Sequence, residues 1–155
     1  MSTTITRSDS TASVGPMHPA LTAPLGAFTC AAALAAGELF DLNADPGGDT
    51  NTSSSEWLVT GGIIVVGLLI GYVLGRRAWA GNLQRLSRTA VGLAIASAVL
   101  FVAFWSGWPS VFSAVAIGLA LEHRRRVGSF SPATAIAVGL GVLAFGATAV
   151  VCVIG

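Results

Sequence analysis

Glu38 and Asp41 are the two acids whose spacing could do chemistry in this chain. They stand three residues apart, so on a continuing helix both carboxylates share a face. Two close carboxylates bind a cation, or share a proton with one pKa raised. Both belong to a stretch from Gly37 to Trp57 that holds five of the seven acids and no Arg or Lys. The other loop acids, Asp45 and Asp49, lack the alternating Asp/Asn pattern and closing Glu of an EF-hand. Two carboxylates at the end of an apolar segment also have a plain explanation, which is that they reach toward the headgroup region. Glu38 and Asp41 are therefore carried forward as a candidate cation or proton site.

A second constellation is Glu122-His123-Arg124. A Glu beside a His can handle protons. The simpler reading is a Glu122–Arg126 ion pair at i, i+4 with a solvated His123. Beyond these, the chain offers no Gly-rich phosphate loop and no Ser, His and Asp set. His18 and His123 are its two histidines. No enzyme activity, metal or cofactor is expected. A net charge of +1 makes no basic field for nucleic acid.

The elements that would position these residues are read from composition. Charged residues make up 10% of the chain, against about 25% in soluble domains, and mean hydropathy is +0.78. Fifteen charges cannot skin a soluble fold of 155 residues. A lipid-facing surface needs no such skin, and apolar runs of about 20 residues cross a bilayer as helices. The expected fold class is all-α, a multi-pass helical membrane bundle. Its spans are placed at about 20–40, 57–75, 90–107, 110–123 and 132–154, behind a disordered cytoplasmic tail, 1–18. Five transmembrane helices follow, or four if the Ala-rich first segment, with "ALAAG" at 33–37, is a cleaved signal or stays out of the membrane.

Arginine placement sets the orientation. Arg76, Arg77, Arg85 and Arg88 fall in one loop, 76–88, and Arg124, Arg125 and Arg126 in another, 124–130. The acidic loop 41–56 and the "WPS" turn at Trp108–Ser110 carry none. Positive residues favour the cytoplasmic side. The N-terminus is then cytoplasmic and the C-terminus outside, in the plasma membrane, read as a bacterial inner membrane. Trp57, Trp105 and Trp108 fall at the outer interface, Trp79 and Tyr72 at the inner one. Arg76, Arg77, Arg124, Arg125 and Arg126 are placed to meet anionic lipid headgroups.

Helix boundaries are marked as well. Gly81-Asn82 separates two helices, Ser131-Pro132 opens the last, and Ser53 with Glu56 has capping-box spacing. Gly67, Gly71 and Gly75 line one helix face, and Ala114 with Gly118 repeats the spacing. Such stripes let another backbone approach closely, within the bundle or from a partner. Ala135/Gly139 and Ala137/Gly141 repeat it in the last span. Cys30 and Cys152, placed at different depths, are expected to lie about 12 Å apart, too far for a disulfide. The expected function is that of a non-enzymatic accessory or scaffolding subunit. Its partners are the lipid bilayer and either itself or another membrane protein. The alternative is a small oligomeric transporter or channel with Glu38 and Asp41 at its outer mouth.

Overall fold

A computed structural model of the chain describes Gly15, residues 17–40 and residues 54–154. The described elements are helices: α1 (Pro19–Leu39), α2 (Ser54–Trp79), α3 (Leu83–Val99), a 3-10 segment (Leu100–Ser106), α4 (Trp108–Val127) and α5 (Pro132–Ile154). Their ends follow local chemistry. His18 caps α1, its Nδ1 accepting from the Ala20 N–H at 3.1 Å, and Pro19 takes the first helical position, where no N–H is needed. Asn82 caps α3 by accepting from the Arg85 N–H at 2.8 Å. Ser131 does the same for α5, accepting from the Thr134 N–H at 3.2 Å. Ser53, the other half of the expected capping box, lies outside the described residues.

The turn expected at Trp108–Ser110 sits one residue earlier. Gly107 is left-handed (φ 72), and Trp108 and Pro109 already open α4. An added Cβ at Gly107 would lie 2.8 Å from Ile64 Cγ1 and 3.4 Å from Cys30 Sγ, so conformation and space both call for glycine. The helix before it has given way at Ala103 (φ −103, ψ 45), which turns the 3-10 segment over the start of α4.

α4 is the centre of the bundle. α1, α2, α3 and α5 all pack on it, and its residues from Pro109 to Ala116 and from Gly118 to Ala120 are all buried. Val111, Val115 and Leu119 are fully enclosed and meet Leu86, Leu93 and Phe112 in one core. Glycines allow this crowding. A Cβ on Gly26 of α1 would stand 2.6 Å from the Ser110 carbonyl oxygen and 2.7 Å from Val111 Cα, so α1 lies backbone to backbone on α4. On α2, Gly67 faces the Trp108 ring, Gly71 faces Val111 and Gly75 faces Val115.

Four described helical stretches are long and apolar enough to cross a membrane: Pro19–Leu39, Ser55–Trp79, Leu83–Ser106 and Pro132–Val153. Most of each faces outward, with Leu58, Val66, Leu69, Ile136, Leu143 and Val150 among the exposed apolar side chains. α4, expected as a span at 110–123, is not among them; it ends in Glu122 and three arginines and lies inside the other four.

The glycine contacts separate two outcomes. Gly26→Ala forces α1 off α4 and should lower stability by about 1–3 kcal/mol. Gly139→Ala, where an added Cβ meets nothing within 4 Å, should leave stability unchanged or raise it by up to about 1 kcal/mol through helix propensity. Thermal unfolding of the two variants in the same detergent checks the contrast.

Candidate functional site: the charged end of the central helix

The C-terminal turns of α4 bring charge into the bundle. Glu122 and His123 are both buried, 6% and 7% exposed. Arg126 Nε donates to Glu122 Oε1 at 2.8 Å, the expected i, i+4 pair. Arg125 Nη1 lies 3.8 Å from Glu122 Oε2, an oxygen that makes no hydrogen bond among the described residues. His123 is not solvated as the sequence suggested. It is enclosed, with Nδ1 also lacking a hydrogen-bond partner among those residues. Successive residues on a helix do not face each other, so the His123 ring and the Glu122 carboxylate are not set up as a proton-sharing pair.

Trp79, the last residue of α2, ties three helix ends together. The Arg126 guanidinium lies 5.3 Å from the Trp79 ring centroid, a cation–π distance, and its Nη2 donates to the Trp79 carbonyl oxygen at 3.4 Å. The His18 ring meets the same indole edge-on at 5.1 Å. Arg124 sits 4.7 Å from the Phe130 ring. Basic residues at the ends of α2 and α4 also suit the negative end of each helix dipole.

Around this cluster the other described arginines point outward. Arg76, Arg77, Arg85, Arg88, Arg124 and Arg125 are all exposed. A hollow of about 320 Å³ is lined by Asn82, Gln84, Arg85, Arg88 and Thr89, and another of about 340 Å³ by Tyr72, Val73, Arg76, Arg77 and Ala80. This end of the bundle therefore presents guanidinium groups beside shallow, partly polar hollows. Guanidinium groups in general pair well with anionic oxygens.

Glu38 sits exposed in the last turn of α1, and Asp41 lies outside the described residues, so the pair is not brought together in what is described. Gly67, Gly71 and Gly75 face α4 within the chain. Ala114 is buried, and a Cβ on Gly118 would stand 2.8 Å from Thr22 Cγ2 of α1. Trp57 and Trp105 are partly exposed, but Trp108 packs inward and its indole N–H donates to the Ile63 carbonyl oxygen at 2.9 Å.

The sequence reasoning missed a polar seam between α3 and α4. Ser97 Oγ, Ser113 Oγ and the Pro109 carbonyl oxygen lie within hydrogen-bond distance of one another, the hydroxyls 2.9 and 2.6 Å from the carbonyl; the two hydroxyl protons serve the carbonyl and the contact between the serines. The signal was a hydroxyl inside each of two apolar stretches, Ser97 and Ser113, which must find a partner away from water. Also missed was the meeting of Cys30 and Cys152, whose sulfurs are 3.8 Å apart. The expected 12 Å separation holds only if α1 and α5 start at the same level. In fact Thr22 of α1 stands beside Gly118 while Gly141 of α5 stands beside Ile117, so α1 begins about two turns farther along the bundle.

Arg126→Ala leaves the Glu122 carboxylate buried without its main partner. It should cost more stability than the Glu122→Gln/Arg126→Ala double change, and the cycle should give a coupling of about 1–3 kcal/mol. Unfolding of the four proteins in one detergent measures it; a double variant that loses the sum of the two single losses would contradict the pairing. Compared with known proteins, the chain matches no family model, no curated protein and no solved structure.

Proposed function

We propose that the chain is an integral membrane protein that crosses the bilayer five times and acts as an accessory or scaffolding subunit through helix–helix association. The outward apolar faces of α1, α2, α3 and α5 support insertion. α4 would cross as well. At 20 residues it is about 30 Å long, and a helix enclosed by protein needs no apolar face of its own toward lipid. The arginine end would face the cytoplasm and the acidic loop the outside of a plasma membrane of bacterial inner-membrane type. The exposed arginines would then hold the inner leaflet's anionic headgroups, each worth about 1 kcal/mol.

The observation that carries the association reading is on α5. The glycine face of α2 is occupied by α4. Ala137 and Gly141 of α5 also turn inward, but Ala135 and Gly139 face outward, and an added Cβ at Gly139 or Gly146 would meet nothing. That surface suits close approach by another helix and is left uncovered by the described residues. The channel reading draws less support, because Glu38 lies exposed at a helix end.

Two measurements test this. A membrane-impermeant maleimide should reach Thr52→Cys from outside intact cells and Gln84→Cys only after the membrane is opened; the reverse pattern would overturn the orientation. Extraction in a gentle detergent should give a stoichiometric complex, with itself or another membrane protein. It should be lost in Gly139→Leu and kept in Gly92→Leu, which is also open to the outside. A monomer that carries solute flux in proteoliposomes, with flux altered by Glu38→Gln, would replace this reading with the channel.

A further inference from the structure

We propose that Cys30 and Cys152 are a disulfide-forming pair that clamps α1 to α5. Both thiols are fully enclosed, 0% and 1% exposed, and their sulfurs are in contact at 3.8 Å. Bond formation needs a shortening of roughly 1.7 Å to reach the usual length of about 2.05 Å. The two thiols share one acceptor: the Phe104 carbonyl oxygen lies 3.9 Å from Cys30 Sγ and 3.8 Å from Cys152 Sγ. That carbonyl belongs to the 3-10 segment folded over the start of α4 and also accepts the Gly107 N–H at 3.2 Å. Ala33, Leu34, Phe104 and Val153 close the pocket around the sulfurs. The geometry presents the two sulfurs to each other and to no other thiol.

The chemistry is thiol–disulfide exchange with a disulfide-bearing oxidant, either a small disulfide or a disulfide-donating protein. While the last turn of α5 is undocked, the Cys152 thiolate attacks one sulfur of the oxidant and releases the other as a thiol. Cys30, as a thiolate, then attacks Cys152 Sγ in the mixed disulfide and expels the second oxidant thiol. The two cysteines give up two protons and two electrons, and the oxidant's disulfide takes up both as two thiols. The product links residues 122 positions apart, so it joins the first described helix to the last.

The pairing does not depend on the orientation proposed above, because it rests on the contact between the sulfurs. The full-length protein in detergent is treated with oxidised glutathione, after partial unfolding in denaturant and return to native conditions so that burial does not block access. Thiols are then counted in denaturant, and intact mass is recorded. The pair predicts a monomer with no free thiol that is lighter by two hydrogens, and a midpoint of thermal unfolding that falls on reduction. Cys30→Ser and Cys152→Ser should each be captured as a single glutathione adduct, with unfolding insensitive to reductant once the adduct is removed. A wild-type protein that keeps both thiols, carries two glutathiones, or links only between chains would overturn the proposal.

Discussion

A helix buried on every side has no water to complete its hydrogen bonds, and α4 is such a helix over most of its length. Each neighbour must come close enough to shut solvent out, and each polar group on α4 must find its partner inside the bundle. The first demand is met by glycine: Gly26 on α1 and Gly67, Gly71 and Gly75 on α2 remove the side chains that would hold those helices away. The second is met only in part, by short local bonds, since Ser110 Oγ, Glu122 Oε2 and His123 Nδ1 have no hydrogen-bond partner among the described residues. Ser113 returns its hydroxyl to the Pro109 carbonyl and meets Ser97 of α3 there, while Glu122 is held by Arg126 one turn on. Close approach and internal satisfaction depend on each other, since a gap at the glycines would admit solvent or lipid to the seam.

The two ends of α4 are finished differently. At its start, Gly107 turns the chain left-handed beneath the 3-10 segment, where the Phe104 carbonyl faces the two cysteines. At its end, Arg126 spans from Glu122 to Trp79 and joins α4 to the last residue of α2, which His18 also touches. α2 and α5 can therefore expose Leu69, Val66, Leu143 and Val150 while their inner faces pack on α4. The proposed membrane setting fits this division, with apolar side chains outside and polar contacts enclosed.

Much of the helix inventory was legible in the sequence. Apolar runs and the caps at Asn82 and Ser131 mark α2 to α5 within a few residues, because these signals are local. The centrality of α4 was not legible. Its serines, Glu122 and arginines make it the least apolar of the long helices, and residue-by-residue hydropathy cannot tell a marginal span from an enclosed one. Register was hidden for a related reason: nothing in the sequence of α1 says that it packs about two turns out of step with α5. That offset explains the misplaced cysteine depth. Trp108 turns inward for a separate reason: Gly67 of α2 makes room for its ring, and the Ile63 carbonyl takes its indole N–H. The glycine stripe itself was readable as a packing face, but its partner, α4, was not.

The most direct test of the central helix is lipid contact. The protein reconstituted in bilayers can be photolabelled from a diazirine placed on the acyl chain, and the labelled residues mapped by mass spectrometry. The account predicts labels on the outward positions of α2 and α5, such as Leu69, Val66, Leu143 and Val150, and none between Val111 and Ala120 of α4. Labelling of Val111, Val115 or Leu119 at the level of the α2 positions would mean that α4 faces lipid, and would contradict the arrangement described.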